Sequence, residues 1–239
     1  MPHHASLASC ESGLAELKRH GCLAGLICDE CRNLHDIRFQ KVEACVAEYA
    51  SAQVLNVLSA QHVNDVTALA WSTRNLFECA LIYHWVCSRV QPLVELDGWL
   101  AKDELDVLDS LDNLRKKATP GYVPDQEIVD RRQSVEARIK QAKKGTPKYL
   151  RIEELVKDPK VNRKDEYDAK FKVLSKLTHC SPYSMFERRS DNWGAPARLL
   201  LEWATVYSLE IVCRLGLSAR SSWINQDQAK TELKSRSIL

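Results

Sequence analysis

Arg74 and Glu78 stand one helical turn apart inside the apolar stretch VTALAWSTRNLFECALIYHWVC, and Ser175 and His179 repeat that spacing in FKVLSKLTHCSP. Residues of these types can do acid–base chemistry together. A guanidinium holds a phosphate or a carboxylate, an imidazole moves a proton near neutral pH, and a carboxylate or hydroxyl orients either of them. On a helix, positions 74 and 78 share a stripe with Thr67, Ala70, Trp71, Leu81 and Trp85, so the ion pair is expected to face protein. Burying ionised groups is costly unless they are paired and hydrogen-bonded, so something must compensate them. Two readings stay open: a core ion network that fixes how helices dock, or the floor of a catalytic or ligand-binding site. His179, just before the Cys180, Ser181, Pro182 turn, is placed at a helix end, where it could donate to a carboxylate such as Glu78 or meet the negative end of the helix dipole.

Two other clusters carry chemistry. Cys28, Cys31 and His35 form C-x-x-C-x-x-x-H on one face of an expected helix and offer three ligands to zinc. Zinc sites built on one continuous helix are unusual and no second C-x-x-C follows, so the alternative is core cysteines beside a surface or capping histidine. The run from Arg131 to Arg151 carries Arg131, Arg132, Arg138, Lys140, Lys143, Lys144, Lys148 and Arg151 against the single acid Glu136. Such a helix could track a phosphate backbone. The alternative is a solvated face balanced by the acids between Asp103 and Asp112. No Gly-rich phosphate loop, H-E-x-x-H, G-x-S-x-G or paired E-x-x-H carboxylates occur, which disfavours nucleotide hydrolysis, zinc proteolysis and di-iron chemistry. No cofactor is called for.

The elements that must position these groups are helices. Apolar residues recur at three and four from about Cys22 to Ser59, which predicts one long helix or two with a bend. His62 to Asn64 offers a break, Asn64 or Asp65 can cap the next helix, and that helix is expected to run to about Val90, before Pro92. Asp97, Gly98 and Trp99 read as a corner, followed by an amphipathic helix over Asp103 to Lys117. Thr119, Pro120, Gly121 and Pro124 break the chain. A polar helix is expected over Asp125 to Lys144, a short piece over Lys148 to Lys157, a loop to Lys164, and a helix over Asp165 to Thr178. The last large helix follows the Asp191 to Pro196 turn and runs to Leu215, and the polar tail from Ser221 to Leu239 is expected to be a weak helix or a loose segment. No segment shows the period-two alternation of a strand. The expected fold is all-α: an irregular helical bundle with long central apolar helices. Residues 1–220 would form a single domain, with an outer charged helical insertion at about 101–166, where 16 Lys or Arg and 14 Asp or Glu crowd into 66 positions.

A formal net charge of +2 gives no global field that would announce nucleic acid or a membrane. The two longest apolar stretches are interrupted by Arg74, Asn75 and Glu78, and by Glu202 and Glu210, so neither is expected to span a membrane. Nine cysteines (10, 22, 28, 31, 45, 79, 87, 180 and 213) and a start without a basic-then-apolar pattern lead to the expectation of a cytoplasmic protein with free, mostly buried thiols.

The R-x-x-x-E of RNLFE followed by the S-x-x-x-H of SKLTH, after a polar insertion and before a closing apolar helix, resembles a widespread bacterial family catalogued only as a domain of unknown function. The resemblance covers roughly Leu55 to Leu215. It implies an all-helical fold with Arg74, Glu78, Ser175 and His179 at the matching positions, and no activity. A looser similarity is to the HEPN superfamily, helical ribonucleases of toxin and phage-defence systems that need no metal, in which an arginine and a histidine four to six residues apart on one helix hold the phosphate and move the 2′-hydroxyl proton. That spacing is absent here: nine residues separate Arg74 from His84 and two separate Arg32 from His35. An equivalent site would be assembled across helices from Arg74 and His179, with RNA as partner and a homodimer as a way to duplicate it. The alternative is a non-enzymatic module in which the network is structural and the basic helix or the tail engages a protein or nucleic acid.

Overall fold

With only eight glycines and eight prolines in 239 residues, little interrupts the three- and four-residue apolar recurrence, and long helices result. The computed structural model of the protein describes residues 3–33, 38–88, 92–142, 151–179, 194–218, 221 and 224–236. Among these the helices are α1 (His3–Asn33), α2 (Arg38–His62), α3 (Val66–Ser88), α4 (Pro92–Ala118), α5 (Gln126–Ala142), α6 (Ile152–Leu155), α7 (Lys164–Thr178), α8 (Gly194–Ser218) and α9 (Gln226–Arg236). No strand occurs among the described residues, and the protein is all-α.

The chain divides into two compact units, residues 1–87 with 155–239, and residues 88–154. In the first, α3 is the central helix: Leu69, Leu76, Phe77, Leu81, Tyr83 and Trp85 are all but fully buried. The α2–α3 corner is built by Asn64 in a left-handed conformation (φ 55°) and by Asp65, whose Oδ1 accepts the Ala68 amide at 2.9 Å and so caps α3. α1 and α2 approach closely because Gly21 has no side chain: a Cβ there would lie 2.9 Å from Val54. At the far end, a Cβ on Gly216 would overlap Ile224 at 2.5 Å, and the Gly216 carbonyl accepts from Ser221 N and Gln226 Nε2. Of the two readings of the polar tail the helix is found, as α9, with Ala229 buried.

The second unit is the hairpin of α4 and α5, which buries Trp99, Ala101, Val135 and Ala142. Here the expected corner at Asp97, Gly98 and Trp99 is corrected: α4 runs unbroken from Pro92 to Ala118. One helical glycine costs about 1 kcal/mol, which the burial of Trp99 and Ala101 outweighs. The hairpin turn has Gly121 at φ 78°, a backbone that side chains other than glycine rarely adopt. The charged stretch 101–166 falls partly in each unit, 101–154 in the second and 155–166 in the first.

Candidate functional site

α3 is buried around most of its circumference. One stripe that reaches solvent is Thr67, Trp71, Arg74, Asn75 and Glu78, at three- and four-residue steps, and Cys87 near the end of the helix is exposed as well. The ion pair faces protein over most of its surface, as expected, with an edge left open to solvent. The Arg74 and Glu78 side chains are 20% and 27% exposed, and His179 is exposed. Among the described residues α7 meets this stripe through Phe171 and His179, and the cluster is left half-buried with an edge open to solvent.

The structure brings three of the four residues together. Arg74 Nε donates to Glu78 Oε1 at 2.8 Å, and Arg74 Nη1 lies 3.5 Å from His179 Nε2. A guanidinium has no lone pair to offer, so in that contact the imidazole nitrogen is the acceptor. The guanidinium carbon sits 4.5 Å over the ring of Phe171, a cation–π contact that fixes the plane of the fork. Phe171 is in turn stacked on Tyr167 at 4.7 Å, and Phe77 joins Tyr167 to Tyr207. His179 is the C-cap of α7: its backbone turns extended (φ −88°, ψ 150°) and its amide donates to Ser175 O at 3.1 Å. Ser175 thus serves His179 through its main chain, and its hydroxyl forms no bond with the imidazole in this structure. On the other flank, Asn75 Nδ2 donates to Gln53 of α2, and burial together with nearby Cys79 and Glu78 pushes the Tyr49 phenol up.

The buried ion network lies elsewhere in the same unit. Glu210 of α8 is 4% exposed and accepts Arg163 Nη1 on both oxygens, at 2.8 and 2.7 Å, and Arg214 Nε at 3.1 Å. Arg163 reaches it from a tight turn in which the amides of Val161 and Asn162 donate to Asp158 O and Asn162 is left-handed (φ 47°). Glu166 accepts Arg163 Nε and Lys170 Nζ at 2.6 Å and the Tyr207 hydroxyl at 2.8 Å. Burial pushes the Glu166 carboxyl up, but Arg163 and Lys170 outweigh it and hold it at about 2. Sequence reasoning flagged Glu210 as an interruption of an apolar stretch and missed its partners.

Against this network lies His84. Burial first, then the Arg214 and Arg163 cations, hold its imidazole down at about 4, with Glu210 opposing. The folded state therefore keeps the ring neutral where the unfolded chain, titrating near 6.5, takes a proton. This contribution is fully present above pH 6.5 and is lost as pH falls toward 4. Because the ring is partly hydrated, the expected loss is on the order of 1–2 kcal/mol between pH 7.5 and pH 5. Urea midpoints at those two pH values check it, and His84→Gln should flatten the difference.

The three arginines of α5 are neutralised within its own hairpin. Arg131 pairs with Glu104, Arg132 with Asp109 and with Asp112 at 3.9 Å, and Arg138 with Asp97 at 2.7 Å and Glu104 at 3.1 Å. These acids of α4 occupy the arginines that a phosphate backbone would need. Lys140 is exposed, and Lys143 and Lys144 lie outside the described residues. Of the zinc candidates, Cys28 and Cys31 are buried and His35 lies outside the described residues. Burial, then Glu43, Glu30 and Cys28, push the Cys31 thiol up to about 11, away from the thiolate that binds metal. Among the described residues no group of three or more His, Cys, Asp or Glu side chains is placed to hold a metal ion. The described cysteines 22, 28, 31, 45, 79, 87 and 213 are free thiols, and of these Cys22, Cys45 and Cys87 are exposed. No described helix is long and apolar enough to cross a membrane.

The fold and site define an all-helical protein with a half-buried cluster of an arginine and a glutamate on its central helix and a histidine at the end of α7. The chain belongs to the family of unknown function DUF5677, which matches residues 49–194. The match takes in Arg74, Glu78, Ser175 and His179 as well as Arg163, and stops short of Glu210. No curated protein matches the chain, and no solved structure does.

Proposed function

We propose that the Arg74, Glu78 and His179 cluster cleaves RNA phosphodiester bonds without a metal ion, within a bacterial defence or toxin system. The observation that carries this reading is the 3.5 Å approach of the Arg74 guanidinium to His179 Nε2 in a cluster open to solvent. A phosphate bound there meets the cation on one side and a proton acceptor on the other, which are the two groups that transesterification needs. Once the phosphate draws the Arg74 N–H away from it, His179 Nε2 takes the 2′-hydroxyl proton as the 2′-oxygen bonds to phosphorus. The bond to the 5′-oxygen breaks, and that oxygen takes a proton from solvent, leaving a 2′,3′-cyclic phosphate. Glu78 holds the guanidinium from behind, so that the remaining N–H groups face the substrate.

The HEPN arrangement, with both residues on one helix, is replaced by α3 and the end of α7. Both groups come from one chain, so a homodimer would duplicate the site without completing it. Solvent access favours a site over a sealed architectural pair. The test is incubation of RNA with the purified chain in excess EDTA. Wild type should yield fragments ending in cyclic phosphate, and Arg74→Ala should lower the rate by about 10²–10³. Because the Arg74–Glu78 pair is partly exposed, that variant should lose only about 1 kcal/mol of stability and stay folded. Absence of cleavage by the wild type, or an undiminished rate in Arg74→Ala, would refute the assignment.

A further inference from the structure

We propose that this site takes single-stranded RNA, with one unpaired base stacked on Trp71 while its phosphate lies on Arg74. The proposal deepens the phosphodiester reading above and rests on it. Trp71 is 54% exposed on a helix whose other large aromatic side chains, Phe77, Tyr83 and Trp85, are buried to within 1%. It stands one turn before Arg74 on the stripe that reaches solvent, so the indole and the guanidinium are neighbours at the surface.

An exposed indole beside a phosphate-binding cation is the pairing that single-strand binders use: the ring takes the face of a base and the cation takes the backbone. In a duplex those faces are already stacked on neighbouring bases, so a platform of this kind selects unpaired strands. Stacking is tolerant of base identity, and the same geometry therefore implies weak sequence preference.

The experiment uses the full chain and two probes: a fluorescently labelled single-stranded 2′-O-methyl RNA, which cannot undergo the 2′-hydroxyl attack, and the cleavable RNA of the same sequence. Trp71→Leu, which keeps apolar bulk without a π-face, should weaken binding of the first probe roughly ten- to a hundredfold. It should raise KM for the second by a similar factor with a smaller change in kcat, and Trp71→Phe should restore most of both. The duplex form of the probe should bind at least about tenfold more weakly than the single strand. Binding within twofold of wild type in Trp71→Leu, equal affinity for duplex, or no binding by the wild type would overturn the proposal. Cleavage that persists with Trp71 irrelevant would sink the stacking alone. Trp71-dependent binding without any cleavage would sink the nuclease reading alone.

Discussion

His179→Ala is expected to abolish RNA cleavage in EDTA, lowering kcat by about 10²–10⁴, while the helical melt stays cooperative and nearly unshifted. The first half follows from the role of the imidazole: with Nε2 gone, the carboxylate left in the cluster, Glu78, is engaged by Arg74, and a positioned general base contributes a factor of that size. The second half follows from how α7 ends. The hydrogen bond that closes its last turn is donated by the His179 main-chain amide to Ser175 O, and alanine keeps that amide. The side chain is exposed, so its removal leaves no cavity and should cost less than about 0.5 kcal/mol. The comparison with Arg74→Lys sharpens the test. Lysine keeps the charge and loses both the fork that spans Glu78 and His179 and the flat contact with Phe171, so substrate binding should suffer more than proton transfer. Initial rates and thermal melts on the same samples check both halves. A His179→Ala chain that cuts at the wild-type rate would leave the cluster without a catalytic role.

Much of this site was legible before any coordinates, and the reason is periodicity. Arg74 and Glu78, and Ser175 and His179, interrupt apolar faces at helical spacing, and a fold built from such faces brings their interruptions together. Arg74 and His179 meet on that basis, across α3 and α7. What periodicity could not say is which side of a helix that is apolar almost all round is left uncovered. Trp71 and Leu81 look alike as sequence, yet one is half exposed and the other fully buried, because neighbouring helices and not local pattern decide it. Gly98 misled for a related reason: its local preference for a turn yields to the packing of Trp99 and Ala101. The unforeseen start of α1 at His3 has the same origin, since Leu17, Ala24 and Ile27 find their cover on other helices. Arg163 was hidden more deeply, since it sits in a turn where no repeat exists and its partner is 47 residues away on α8.

That hidden pair carries the largest expected effect on stability. Glu210→Ala should destabilise the protein by about 3–5 kcal/mol, several times the cost of Glu78→Ala at the open site, for which about 1 kcal/mol is expected. The two residues make the same kind of contact, a carboxylate on an arginine at hydrogen-bond distance. Solvent exposure and the number of cations held separate them. Glu78 is 27% exposed, so water can hydrate Arg74 once the carboxylate is gone. Glu210 is 4% exposed and satisfies two guanidinium groups, Arg163 and Arg214, that are 16% and 14% exposed. Deleting it strands both cations near each other and near His84, which is held neutral partly by those same charges. Glu166 anchors Arg163 through Nε and would limit the loss, which sets the lower end of the range. Glu210→Gln tests the electrostatic part separately, because it keeps the shape and one acceptor oxygen and should recover a fraction of the difference. Urea denaturation of the three variants gives the ordering directly. Equal losses for Glu210→Ala and Glu78→Ala would mean that burial does not govern these pairs.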